Sequence, residues 1–202
     1  FSNKTGFTYT KMYYDMEMNL APHLMQPLEL ISEGKGNTDL ISAYTSSSIG
    51  LSDQVTLNVG INAQVLTLNN SWVLEPRAGV KWQASPKSSF ALAYGLHSRM
   101  EKMDVYFVKT RGSGDRSVNK DLDFTKAHHV MLSYGFKVSD NVNVKIEPYF
   151  QYLYDVPVIA DSSYSVLNRV DFYVEEALKN KGKGRNFGVD VTLERYLNDG
   201  VY

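Results

Sequence analysis

The chain has 202 residues, of which 43% are hydrophobic and 12% aromatic, with no cysteine and a formal net charge of −1. The near-neutral balance leaves no basic field for nucleic acid, and the absence of thiols excludes a disulfide framework, a thiolate metal site and a cysteine nucleophile. No apolar run reaches the ~18 residues of a membrane-spanning helix; a barrel stays open, because its strands show only alternate residues to lipid.

In chain order, Gly6 to Met18 alternates weakly, with Thr8, Thr10, Met12 and Tyr14 against Phe7, Tyr9, Lys11 and Tyr13. A strand is expected, and Lys11 and Asp15, one helical turn apart, keep a helix as the competing reading. Asn19 to Asn37 holds Pro22, Pro27 and Gly34-Lys35-Gly36 and reads as a loop, and serine-rich Asp39 to Leu51 as a weak strand. After Ser52-Asp53-Gln54, the residues Val55, Leu57, Val59, Ile61, Ala63 and Val65 alternate with Thr56, Asn58, Gly60, Asn62 and Gln64.

Beyond Asn69-Asn70-Ser71, the run from Val73 to Ala84 sets Leu74, Pro76, Ala78, Val80 and Trp82 against Glu75, Arg77, Gly79, Lys81 and Gln83. Ser85 to Ser89 turns the chain into Phe90, Leu92, Tyr94 and Leu96, and a long polar segment follows from Met100 to Lys126. Next comes a hairpin. His128, Val130, Leu132, Tyr134, Phe136 and Val138 share one face; after Ser139-Asp140-Asn141, Val142, Val144, Ile146, Pro148, Phe150 and Tyr152 oppose Asn143, Lys145, Glu147, Tyr149 and Gln151. Each run is ~11 residues, the length of a tilted strand crossing a hydrocarbon layer, whereas soluble strands are nearer ~5–6. A second long segment, Tyr154 to Arg185, leads to Phe187, Val189, Val191 and Leu193 opposite Gly188, Asp190, Thr192 and Glu194. Asn198-Asp199-Gly200 turns again, and Val201-Tyr202 are expected to open a further strand.

Antiparallel strands joined in order place alternate connections on opposite rims. Asp53, Lys87, Asp140 and Asp199 are therefore expected on a short-turn rim, and Arg111 and Ser163 on a long-loop rim. Aromatic residues gather toward both: Trp82, Phe90, Phe136 and Tyr196 near the short turns, Trp72, Phe150, Tyr152 and Phe187 near the long loops. Such girdles flank a lipid-facing band, so Val59, Val80, Leu132, Ile146 and Val191 are expected to meet lipid. Pro76 and Pro148, both after a glutamate, sit mid-strand, and their recurrence points to a bulge. Arg195 falls on the apolar face, close enough to a rim to snorkel.

The segments Leu74-Glu75-Pro76-Arg77 through Trp82, Ser85-Pro86-Lys87 and Ala93 to Ser98 resemble the barrel of TonB-dependent outer-membrane receptors of the Bacteroidetes type. Ala127-His128-His129, Lys145 to Tyr149 with Gln151 to Tyr154, and Asn180 to Asn186 with Gly188 to Asp190 are similar to the same family. The resemblance covers about Asn37 to Tyr202. It implies an all-β fold: an open, antiparallel section of about eight meander strands from a barrel of about 22 strands around a plug. Neither plug nor TonB-contacting box is recognisable, and no secretory leader opens the chain at Phe1, so residues 1–202 are expected to be an inner section of such a barrel. The implied function is import of a scarce ligand, non-enzymatic and without a cofactor, in the outer membrane of a Gram-negative cell. The implied partners are outer-membrane lipid, the receptor's own plug, the TonB complex and the imported ligand.

Read against this, Glu75, Arg77, Lys81, Lys145, Glu147, Asp190 and Glu194 are candidates to face the lumen and plug, with plain solvated charge as the alternative. Arg99, Arg111, Tyr164 and Tyr173 are candidate ligand contacts in the outer loops. Gly182-Lys183-Gly184-Arg185 lacks the spacing and the Lys-Ser/Thr ending of a phosphate loop. His128 and His129 point to opposite faces and cannot jointly chelate. A triad of His129, Asp123 and Ser163 can be drawn only on paper. A barrel enzyme, a complete eight-strand barrel and a soluble all-β module remain the competing readings.

Overall fold

The computed structural model describes residues 1–21, 23–110, 113–114, 116–159, 162, 164–168 and 174–195. Eight strands follow one another: β1 (Ser2–Leu20), β2 (Glu29–Gly50), β3 (Val55–Leu66), β4 (Ser71–Ser85), β5 (Ser88–Arg99), β6 (Thr125–Ser139), β7 (Val142–Ile159) and β8 (Leu178–Arg195). They form a single antiparallel sheet in sequence order, with β1 and β8 at its two edges, so the architecture is an open half-barrel. One short helix, α1 (Met103–Tyr106), and one 3₁₀ turn, Val166–Asn168, sit in the long connections. The helix reading of the first segment fails because Asp15 pairs across the ladder with Lys35, at 2.6 Å, and not along a helical turn with Lys11.

The register carries the alternation of single strands across the sheet. Trp82, Phe90, Tyr134, Ile146 and Val191 stand in one row, and Val59, Ala78, Tyr94, Val130, Phe150 and Phe187 in another. The apolar face so formed is uncovered: Leu92 is 50% exposed and Val191 69%. Adjacent short turns are tied together, Gln83 N–H donating to Gln54 O at 2.8 Å and Lys137 N–H to Lys87 O at 2.9 Å, which sets Asp53, Lys87 and Asp140 on one rim. Asp199, Arg111, Ser163, Tyr196 and Val201-Tyr202 lie outside the described residues.

Two stretches expected to be loops are strand. β2 begins at Glu29, well inside the segment Asn19 to Asn37, and β8 begins at Leu178, inside Tyr154 to Arg185. Both lie on the long-loop side of the apolar band, where loop packing on one face, and not a strict alternation, sets the residue types. In β2 the outward residues Glu33, Lys35 and Asn37 are polar, while Ser32, Gly34 and Thr38 are small because a loop packs on them. Gly34 is no turn signal there: a Cβ at this position would stand 2.8 Å from the Phe107 ring.

The prolines do not mark bulges. The β3–β4 register runs unbroken through Ile61↔Pro76, and the β7–β8 register through Pro148↔Val189. Each proline turns its missing donor toward its other neighbour. The β4–β5 ladder stops at Arg77↔Gly95, and the β6–β7 ladder skips the positions facing Glu147 and Pro148. The bulge of β7 is at Asp155 instead, where φ is 53° and the register with β8 shifts.

The buried apolar residues gather at the long-loop rim on the polar face. Val105, Tyr106, Val108, Leu122 and Phe124 of the β5–β6 connection pack with Leu66 and Val73, against Met12, Tyr14 and Leu40. The same connection acts as a substitute strand. Ser32 bridges Val108, and Lys109 N–H donates to Ile31 O at 2.8 Å, so the part of β2 that β3 is too short to reach gains a neighbour. Gly34→Val should therefore drive this loop off the sheet. Overpacking of this kind costs ~1–3 kcal/mol, so trypsin cleavage at Lys102 and Lys120 should speed up about tenfold while the strands stay protected. Unchanged cleavage would show that Phe107 is not seated on Gly34.

Candidate functional site

All seven charged residues singled out from the alternation lie on one face, opposite the apolar rows, because unshifted pairing keeps their parity from β4 to β8. The face is concave and holds a hollow of about 710 Å³, lined by Arg77, Gly79, Gly95, His97, His129 and Met131 among others.

Glu75 is its best-organised group. It is 2% exposed. Its Oε1 accepts from Gln64 Nε2 at 3.0 Å, from Ser98 N–H at 2.7 Å and from Ser98 Oγ at 2.7 Å. Its Oε2 accepts from Asn62 Nδ2 at 2.9 Å and from Arg77 Nη2 at 3.0 Å. A buried carboxylate costs several kcal/mol unless donors and a countercharge surround it, and here donors reach it from β3, β4 and β5. The Ser98 contact also answers Pro76: where the ladder breaks, the glutamate beside the proline supplies the acceptor for a backbone donor of β5.

The other charges form a second group. Lys145 Nζ lies 2.8 Å from Glu147 Oε1, and Glu147 stands directly opposite Asp190 in the ladder. The lysine offsets the like charges that this register sets side by side. Glu194 stands opposite Asn143 at the short-turn end, and Lys81 stays apart from this group, further along β4 from Arg77 and opposite Thr56 and Ala91. Of the loop candidates, Arg99 is exposed at the last position of β5 and Tyr164 is 37% exposed, its carbonyl accepting from Ile159 N–H at 3.2 Å; Arg111 and Tyr173 lie outside the described residues.

Sequence spacing did not reveal which histidines meet. His97 and His129 come from neighbouring strands and their rings approach to 4.6 Å between centroids on the polar face, while His128 turns to the other face. Among the described residues no group of three or more His, Asp or Glu is placed to hold a metal. Asp123 holds Lys126 at 2.8 Å and the His129 ring meets that of His97 at a tilt of 51°, so these two members of the paper triad have separate partners.

The long connections are knitted into one cap. Asn119 is buried: its Nδ2 donates to Glu176 O at 2.9 Å and its Oδ1 accepts from Leu178 N–H at 2.8 Å. Asn69 Nδ2 donates to Leu122 O at 2.7 Å, and Asn180 Nδ2 to Asp155 O at 2.7 Å. Tyr106, fully buried in the cap, has its hydroxyl pushed up to about 12 by that burial, and its oxygen accepts from Glu101 N–H at 3.2 Å. The segment that reads as polar thus contains a small core.

No protein-family model and no curated protein matches the chain. Solved structures do. The ferric-catecholate import receptor Fiu of Escherichia coli K12, in its closed form, superposes with a TM-score of 0.64 at 12% identity over 98% of this chain and 33% of that one. The outer membrane transporter YddB of Escherichia coli gives a TM-score of 0.61 at 14% identity over 96% of this chain and 27% of that one. The chain thus spans a third or less of these proteins. At such identity the likeness shows the fold alone, an antiparallel sheet curved as a section of a barrel.

Removing the Glu75 side chain should be costly. Glu75→Ala strands five donors around a buried site and should destabilise by about 3–5 kcal/mol, measured by denaturant unfolding in detergent, with Glu75→Gln recovering part of the loss. Equal effects of the two variants would mean that the charge on Glu75, not its acceptors, holds the cluster.

Proposed function

We propose that this chain is one wall of an outer-membrane receptor that imports a ligand with energy delivered through TonB, residues 1–202 supplying eight strands of a larger barrel. One observation carries the reading: the exposed apolar face has the height of a membrane's hydrocarbon layer and a marker at each end. On β4, Trp72 and Trp82 lie on this face ten residues apart; on β8, Arg185 and Arg195 bracket it at the same spacing. Ten residues at ~3.4 Å each, tilted about 40°, span ~26 Å, against the ~25 Å apolar band of outer-membrane barrels. A soluble sandwich would cover this face with a second layer, yet among the described residues the buried cluster lies on the opposite face.

On this reading the polar face lines the lumen. Glu75 and Arg77 stiffen the wall, Lys81, Lys145, Glu147, Asp190 and Glu194 meet plug or water, and the cap of loops with Arg99, Arg111, Tyr164 and Tyr173 meets the incoming ligand. The likeness to an import receptor and a transporter supports uptake and gives no ground for an enzymatic role.

Residues 1–202 hold no cysteine, so once any cysteine elsewhere in the full-length protein is replaced the orientation is testable by single cysteines. Single cysteines at Asp53 and Lys87 should react with an impermeant maleimide only in permeabilised cells, and one at Lys120 in intact cells. The reverse pattern would invert the barrel, and equal labelling would remove it. Loss of uptake in a strain lacking TonB tests the energy source.

The two faces are also expected to differ in tolerance. Val191→Arg, on the apolar face, should cost about 2–4 kcal/mol on folding into lipid vesicles. Thr192→Arg, on the polar face between Asp190 and Glu194, should cost far less. Equal destabilisation of the two would count against a lipid-facing band.

A further inference from the structure

On the apolar face of β6, β7 and β8, rings and cations meet just beyond the last aliphatic row. Val130, Phe150 and Phe187 form that row, and the next row on the same face is His128, Tyr152 and Arg185. Lys183 and Lys181 continue the face along β8. The rings lie nearly parallel: His128 and Tyr154 are 5.1 Å apart at 17°, His128 and Tyr152 6.4 Å apart at 13°. Tyr94 Oη is 2.9 Å from His128 Nδ1, which extends the tiling onto β5. His128, Tyr152 and Tyr154, with Lys181 and Lys183, border a shallow groove of about 420 Å³, and Arg185 stands beside it, opposite Tyr152 in the ladder.

The charge balance of the groove is one-sided. Its carboxylate, Asp155, is held by Lys126 Nζ at 3.0 Å, which also binds Asp123 at 2.8 Å. Lys181, Lys183 and Arg185 are exposed and enter no ion pair with a described residue. At the other end of the apolar band the same face of β8 carries Arg195 alone among the described residues. Three cations without an ion-pair partner among the described residues, against the net −1 of Lys126 with Asp123 and Asp155, stand above a floor of flat rings at one end of the band and match a phosphate at headgroup depth.

We propose that this groove binds the phosphate of an anionic lipid headgroup in the leaflet at the long-loop rim, with Lys181, Lys183 and Arg185 as its cationic contacts and His128, Tyr152 and Tyr154 as the ring floor. The site rests on the reading of the apolar face as lipid-facing. Its test keeps the two apart. The full-length protein is reconstituted in phosphatidylcholine bilayers with a trace of spin-labelled phosphatidic acid or spin-labelled phosphatidylcholine, and the motionally restricted fraction of each is measured. The expected result is a preference for phosphatidic acid of at least about fivefold, abolished in Lys181→Gln/Lys183→Gln/Arg185→Gln, reduced in Lys183→Gln alone, and unaffected by inorganic phosphate at the same concentration as the labelled lipid. Equal restriction of both lipids by the native protein, or an undiminished preference in the triple variant, overturns the headgroup site and leaves the barrel reading standing. Displacement by inorganic phosphate overturns the lipid as the source of the phosphate. Restriction of neither lipid overturns the lipid-facing face itself, and the groove with it.

Discussion

The structure depends on the continuity of its backbone hydrogen-bond ladder. A buried backbone N–H or C=O without a partner costs free energy comparable to a lost hydrogen bond, so each inner strand is matched along its length by its neighbours. Two departures from that rule inside the sheet are answered from elsewhere in the chain. β2 outruns β3, and the β5–β6 connection pairs with the excess through Val108 and Lys109. Pro76 ends one ladder, and the carboxylate of Glu75 takes over as acceptor for Ser98. Local irregularity of the chain is thus answered by side chains and loops that arrive from elsewhere in the sheet.

The two faces divide the remaining physics between them. The apolar face carries no second layer among the described residues; register sets its rows of Val, Leu, Ile and aromatic residues side by side, with rings such as Phe90 and Tyr134 stacked 4.7 Å apart. The polar face does the opposite: it buries Glu75 under five donors, pairs Lys145 with Glu147, and leaves small residues such as Gly79, Ala93 and Gly95 to form a hollow. At the long-loop end this face is closed by a cap with its own apolar core. Asparagine side chains tie the cap together: Asn69, Asn119 and Asn180 each bond backbone groups of a segment distant in sequence. An amide offers donors and an acceptor at once, which suits it to joining loops that lack a ladder.

A uniform environment on one face is what made the fold readable from the chain. Between the girdles every second residue meets the same surroundings, so Val55 to Val65 or His128 to Val138 declares both strand and face without help. The order of strands followed from the short turns, and the polar positions Glu75, Arg77, Lys81, Lys145, Glu147, Asp190 and Glu194 followed from parity alone. Beyond the band the signal ended, because Glu29 to Asn37 has water on one side and a loop on the other, and small and polar residues suit both.

What only the tertiary structure decided is partnership. The strand length of β2, the substitute neighbour it acquires, the meeting of His97 with His129, and the donors gathered on Glu75 from three strands all depend on which residues the register brings opposite one another. The prolines illustrate the difference. Their place mid-strand was plain in the sequence and suggested a bulge, yet a proline disturbs only the side toward which its nitrogen points, and that side is set by pairing. By itself the sequence determined strand, face and order, because these are properties of a period of two. Contacts across strands are decided by register, a relation between segments far apart along the chain that no single segment contains.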